Sequence, residues 1–205
     1  IYSGLAHGDC GMALYAQLIN TITYAVATNP NLGEGVKPLL RDFVAGKKTL
    51  SFAFTEKGAG TDPFLAKSTV ELKDDGYHIN GEKTWASNSG CADYFIAFGK
   101  DGSPRGMTAV LVSKDLLGVA VTENRKRYSG NIMTSGTVEF ASVVTPRDML
   151  IDNDGYALAM RTIDVARMFV AAVCVGVAER AIDATCRFLA QRQTFGKPVL
   201  KNQYV

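Results

Sequence analysis

The spacing of hydrophobic residues changes period twice along the chain. Over residues 11–28, Met12, Tyr15, Leu18, Ile19, Ile22 and Val26 recur at helical spacing, and Asn29-Pro30 stops the run. A shorter helix is expected over residues 38–45, with Pro38 in its first turn and Gly46 just past its end. The middle of the chain then alternates with period two. "KSTVELK", "YHIN", "DYFIAFG", "MTAVLVS", "VAVTE" and "GTVEF" read as short strands, and Asp75-Gly76, Asn80-Gly81 and Asp101-Gly102 read as hairpin turns between them. Helical spacing returns over residues 156–192, as one long helix or two in series, behind a capping cluster at Asp152-Asn153-Asp154. That last stretch is apolar on more than one face, which predicts burial between other helices.

These elements give an α+β chain of several domains. Residues 1–48 form the end of an N-terminal helical domain, residues 49–152 a central antiparallel β-barrel or sandwich, and residues 153–205 the start of a C-terminal helical bundle. A last helix so apolar, with so little chain after it, reads as part of a longer protein.

Composition narrows the picture. The 205 residues are 47% hydrophobic, ample for a core, and a formal net charge of +2 gives no electrostatic case for nucleic acid or an anionic membrane. The one basic cluster, Arg125-Lys126-Arg127, reads as a solvated loop. Cys10, Cys91, Cys174 and Cys186 lack metal-ligand spacing, and His7 and His78 lie far apart, so no structural zinc is expected. The cysteines read as buried, reduced thiols of a cytoplasmic or organelle-matrix protein. The apolar run at residues 168–178 is too short to span a bilayer.

Three stretches carry candidate chemistry. In "TEKGAGTD", residues 55–62, Gly58 and Gly60 would permit positive φ and close backbone approach to a ligand, with Thr55 and Thr61 as hydroxyl donors. By itself the loop reads more readily as an ordinary tight turn than as a ligand loop. In "NGEKTWASNSGCAD", the single tryptophan, Trp85, stands two residues before Ser87, so a regular strand would set both on one face. A flat ring beside a hydroxyl suits a planar heteroaromatic ligand, and the same pair also reads as a core tryptophan with a turn serine. In "RQTFGKPVLKNQ", Arg192, Thr194 and Phe195 could clamp a phosphate and an aromatic base, or simply end a helix.

Taken together, "AFTEKGAGTD", "NGEKTWASNSGCAD", "VEFASVVTPRDML", "IDVAR" and "QRQTFGKP" resemble, in order and spacing, the acyl-CoA dehydrogenase family of flavoproteins. The resemblance runs from about residue 30 to the last residue and implies helical, β and helical domains in succession. It implies an FAD site at Phe52, Phe54, Thr55, Gly60 and Thr61, with Trp85 against the isoalloxazine and the Ser87 hydroxyl on flavin N5. Arg192, Thr194, Phe195 and Gln203 match residues that hold the FAD of a neighbouring subunit, which implies a homo-oligomer, dimer or tetramer. Thr61, Asp164 and Arg167 match positions beside bound acyl-CoA.

The implied reaction is α,β-dehydrogenation of an acyl-CoA thioester, with an electron-transfer flavoprotein or another acceptor as partner. The chain departs from the family pattern at Lys57, where proline is usual, and at residues 131–135, where Gly-x-Arg-x-Ser is usual. No catalytic base is assignable. It is expected beyond Val205, and the minority position just before Arg167 is Ala166. The 205 residues alone are therefore expected not to turn over substrate. A flavin oxidase or monooxygenase on the same scaffold, and a non-catalytic truncated relative, are the alternative readings.

Overall fold

Helix α1 (Tyr2–Gly8) leads into α2 (Cys10–Ala27), whose start is set by Asp9: its carboxylate accepts the Met12 N–H at 2.8 Å. The helix buries Ala13, Gln17, Thr21, Ile22 and Val26, the stripe its spacing predicts, and ends just before Asn29-Pro30. Asn29 then donates to the Ile151 carbonyl at 3.0 Å and to the Asp152 carboxylate at 3.1 Å, tying this end to the sheet. A short 3₁₀ turn and α3 (Leu40–Val44) follow, and Gly46 stops them at φ +68°. The structure, a computed structural model, describes residues 1–123 and 132–202. The basic cluster at 125–127, Asn131 and Gln203 lie outside the described residues.

Eight strands make one sheet: β1 (Leu50–Ala53), β2 (Thr69–Lys73), β3 (Gly76–Ser87), β4 (Tyr94–Lys100), β5 (Met107–Ser113), β6 (Val119–Glu123), β7 (Ser135–Thr145) and β8 (Leu150–Asp152). The order is β6-β7-β3-β2-β4-β5-β8, antiparallel except along one edge of β4. There β1 runs parallel to β4, Leu50 opposite Tyr94 and Ala53 opposite Ala97, and β2 joins at Thr69 opposite Lys100. The expectation of a purely antiparallel sheet is corrected here. β1 reaches β4 only after the β2–β3 hairpin has intervened, so no tight turn constrains it to run antiparallel.

β4 and β5 are buried on both faces, which is why they read as continuous apolar runs rather than alternating ones. Phe95, Ala97, Val110 and Val112 join Val138, Phe140 and Val143 in a core between strands. Ile96, Phe98, Ala109 and Leu111 join Ile22, Val26, Leu158 and Ala159 in a core under the helices.

Two further expectations are corrected, one at Asn80-Gly81 and one at the cysteines. Asn80-Gly81 is not a hairpin turn but a bulge inside β3, with Gly81 at φ +137°. A Cβ at Gly81 would lie 2.2 Å from the Ser68 hydroxyl, so glycine lets the chain at Ser68 cross there. The last helix, α4 (Gly155–Gln191), is single, and among the described residues the α-helices that pack along it are α1 and α2. It buries Val173 and Gly176 against α1, where a Cβ at Gly176 would lie 2.0 Å from the Ser3 carbonyl, while Met168, Val175, Ile182 and Phe188 stay exposed. All four cysteines are free and exposed. The tendency of cysteine to be buried is an average over proteins, and these four sit on turns or outward helix faces. Among the described residues no helix is long and apolar enough to cross a membrane.

Candidate functional site

Strand β1 and the two residues after it run beside the end of β3. The Ser51 hydroxyl donates to the Ser87 carbonyl at 2.8 Å, the Asn88 amide to the Leu50 carbonyl at 3.3 Å, and the Thr84 N–H to the Thr55 carbonyl at 2.8 Å. These bonds bring Phe52, Phe54 and Thr55 alongside Trp85 and Ser87, five of the residues singled out from the sequence. Phe52 and Phe54 are half-buried and share Phe98, with ring centroids 4.7 and 5.1 Å from it. Their backs join the core under the helices.

The loop "TEKGAGTD" closes on itself. Glu56 N–H donates to the Ala59 carbonyl and Ala59 N–H to the Glu56 carbonyl, each at 3.1 Å, so Lys57-Gly58 is the tip of a tight hairpin. The expected positive φ at Gly58 and Gly60 is not found, because the turn closes without it. A Cβ at either glycine would meet no atom within 4 Å, so the chain's own packing does not demand glycine there. Gly60 and Thr61 are exposed, and Asp62 caps a short 3₁₀ turn by accepting the Phe64 N–H at 3.0 Å.

What anchors the loop is a pair that sequence reasoning missed. Lys83, only 1% exposed, reaches from β3 to Glu56 Oε1 at 2.8 Å and to the Phe54 carbonyl at 3.2 Å. Glu56 also accepts the N–H groups of Lys67 at 2.7 Å and Ser68 at 3.1 Å. Burial opposes ionisation of Glu56, yet the Lys67 N–H and the Lys83 ammonium together hold its carboxyl down to about 2. Burial pushes the Lys83 ammonium below the usual lysine range, and Glu56 counters part of that. A signal did exist: counting by two from Ile79 puts Lys83 on the inward face of the strand.

Immediately after Lys83 the ladder slips. A register shift between Lys83 and Ala86 leaves Trp85 at φ +56° and 64% exposed. Period-two geometry therefore does not hold from Trp85 to Ser87, and the reading of two side chains on one face of a regular strand is corrected. A bulky residue in the left-handed region is strained by about 1–3 kcal/mol, and such strain gathers at functional sites. The side-chain hydroxyls of Thr55, Thr61 and Ser87 make no hydrogen bond to any described residue, since it is the Ser87 carbonyl that accepts from Ser51.

Asp164 and Arg167 stand one turn apart on α4 and pair at 3.0 Å. Asp164 lines a cleft of about 520 Å³ between α2 and α4, together with Tyr24, Thr28, Asn31, Leu158 and Arg161. Beneath it Asp152, 1% exposed, accepts from Asn29, Asn31 and the Asp154 N–H at 3.0–3.3 Å and from Arg161 at 3.4 Å. This buried network was not visible in the sequence, because its members are brought together only by folding.

Arg192, Thr194 and Phe195 do not join these groups. They follow α4, where Gln193–Thr194 (β9) pairs with Lys197–Pro198 (β10) around Phe195 and Gly196, both at positive φ. At 1.5 Å per residue, roughly 40 Å of helix separates Arg192 from Asp164. Phe195 is fully exposed, and Gln203 lies outside the described residues.

Comparison with known proteins bears on this arrangement. The family models of the acyl-CoA dehydrogenase middle domain and C-terminal domain match residues 51–143 and 153–205. A short-chain specific acyl-CoA dehydrogenase of Megasphaera elsdenii is 32% identical over 213 residues, covering 98% of this chain and 54% of that protein. The solved butyryl-CoA dehydrogenase of Megasphaera elsdenii superposes with a TM-score of 0.91 at 28% identity, over 98% of this chain and 54% of that one. An acyl-CoA dehydrogenase of Bacillus anthracis, solved in complex with FAD, superposes with a TM-score of 0.75 at 29% identity, over 81% of this chain and 29% of that one. The chain spans about half the length of the curated relatives it matches.

Proposed function

The chain belongs to the acyl-CoA dehydrogenase family, and from that premise we propose that it forms one wall of an FAD-dependent site for α,β-dehydrogenation of an acyl-CoA thioester. The observation that carries the reading is Trp85, a large aromatic ring held exposed by a strained backbone beside the Ser87 hydroxyl, which makes no hydrogen bond to any described residue. A core tryptophan would be covered, and a turn would not place tryptophan in the left-handed region. The donor set suits FAD: an exposed indole face for a planar ring, and the Ser87, Thr55 and Thr61 hydroxyls for its polar edge and tail.

Bound there, FAD would supply the acceptor for the hydride leaving Cβ and pass both electrons to an electron-transfer flavoprotein or another acceptor. The chain's own part is to orient and to donate. Trp85 presents a flat face, Ser87 offers an O–H to the ring edge, and Phe52 and Phe54 exclude water from behind. Thr61 stands toward the thioester, and Asp164 with Arg167 flanks the cleft that receives acyl-CoA. Arg192, Thr194, Phe195 and Gln203 serve the FAD of a second copy, a role supported by Phe195, which is fully exposed in its own chain. Position 166, beside Arg167, is alanine and accepts no proton, so the α-proton acceptor is not assigned to this chain.

The test is an anaerobic titration of the FAD-loaded full-length protein with acyl-CoA thioesters of graded chain length. This chain is one wall of the site, and the full-length protein must supply the α-proton acceptor. Bleaching of the oxidised flavin band, with formation of the enoyl thioester, is the expected result. An unbleached flavin overturns the dehydrogenase reading and leaves an oxidase or monooxygenase on this scaffold. Failure to take up FAD at all favours a binding or assembly module.

A further inference from the structure

The Glu56–Lys83 pair is more elaborate than a hairpin requires. The hairpin is already closed by two backbone hydrogen bonds, and the pair lies below it rather than across its tip. Its two residues sit on the two halves of the site. Glu56 follows Thr55 directly and opens the hairpin that leads to Gly60 and Thr61. Lys83 is the last regular residue of β3 before the slip that lifts Trp85 outward. Lys83 also donates to the carbonyl of Phe54, so one ammonium holds the strand end, the loop and the bulged strand.

Such a pair is costly to bury and is a poor choice for stability alone, since well-packed apolar residues of the same size do as well or better. What it supplies is geometry. The ammonium is directed at two oxygens on one segment, and the carboxylate is fixed by the N–H groups of Lys67 and Ser68. Neither partner can move without leaving a buried charge unpaired.

We propose that Glu56 and Lys83 are positioning residues: their ion pair sets the hairpin bearing Thr55 and Thr61 against the bulge bearing Trp85 and Ser87, in the spacing that a flavin needs. Neither side chain touches the flavin. The proposal rests on the FAD reading above, and it is tested so that the two can fail separately.

The variants are Glu56→Gln, Lys83→Met and the double E56Q/K83M, made in the full protein. The measurements are thermal midpoint, Trp85 emission in the apoprotein, and FAD affinity by titration. Each single variant leaves one partner buried alone and is expected to lower the thermal midpoint. The double removes both charges, keeps an amide oxygen for one of the two N–H groups of Lys67 and Ser68, and is expected to recover part of that loss. Positioning predicts that the double nevertheless binds FAD about tenfold more weakly, because a displaced Trp85 loses part of a stacking contact worth roughly 5- to 150-fold in affinity. It also predicts a shifted Trp85 emission.

A double variant with wild-type FAD affinity overturns the proposal and leaves the pair a purely structural one. So does a double whose FAD affinity and thermal midpoint fall only in step. If the wild-type protein takes up no FAD, the functional reading fails, and Trp85 emission decides positioning alone: an unchanged spectrum in the double variant then overturns it.

Discussion

Replacing Trp85 by glycine sets two effects of similar size against each other. The indole is about one third covered. A fully covered tryptophan buries up to roughly 250 Å², so about 70–90 Å² of contact would be lost, or about 2 kcal/mol at ~25 cal/mol per Å². Against this, glycine accepts φ +56° freely, which relieves about 1–2 kcal/mol of left-handed strain. The greater freedom of glycine in the unfolded chain returns about 0.5–1 kcal/mol to the loss. The net change is a destabilisation of about 1 kcal/mol, a fall in thermal midpoint of roughly 2–4 °C for a chain of this size. Trp85→Ala loses the same contact and keeps the strain, so it should melt below Trp85→Gly.

FAD affinity should behave differently, because both variants lose the ring face. Stacking on an aromatic side chain contributes about 1–3 kcal/mol, so both should bind FAD roughly 5- to 150-fold more weakly. Scanning calorimetry of the apoproteins and equilibrium titration with FAD are the assays. If both variants melt more than about 10 °C below wild type, the indole is a core residue and the argument fails. Unchanged FAD affinity in both would equally refute it.

Two other outcomes are expected. Glu56 is held at about 2 against an ordinary 4.5, so its ionisation stabilises the fold at pH values above about 4.5 and that contribution drains away as pH falls toward 2. It amounts to about 3 kcal/mol at most, so acid unfolding should steepen in this window, and Glu56→Gln should flatten it in a pH series of denaturant melts. Phe195→Ala removes a ring that is fully exposed in its own chain. It should leave the secondary structure intact by circular dichroism while weakening subunit association in sedimentation velocity, and wild-type association would contradict the proposed contact with a second copy.

Local structure was largely legible in the sequence because it depends on near neighbours. The stripe of α2, the stop at Asn29-Pro30, the strand segments and the Asp75-Gly76 and Asp101-Gly102 turns follow from spacing and turn chemistry within a few residues. The order of the five motifs carried the family for the same reason, since it is written along the chain. It did not carry geometry: two glycines were given a conformation the turn does not need, and Trp85 was given a regular strand.

Tertiary structure decided whatever depends on residues far apart in sequence. The parallel pairing of β1 with β4 joins segments with two strands between them. The count along β3 puts Lys83 on the inward face, but only folding brings Glu56, 27 residues away, beneath β3 to pair with it. The bulge at Trp85 comes from a mismatch between β3 and β7, which no count along one strand can reveal. The open faces of α4 likewise depend on which helices reach it, not on its own apolar content. Sequence by itself determined which segments are helix or strand and which family they compose, because hydrophobic period and turn chemistry act locally. Only the folded chain decided which side chains meet, because burial and ion pairing act through space and are set by the closure of the whole sheet.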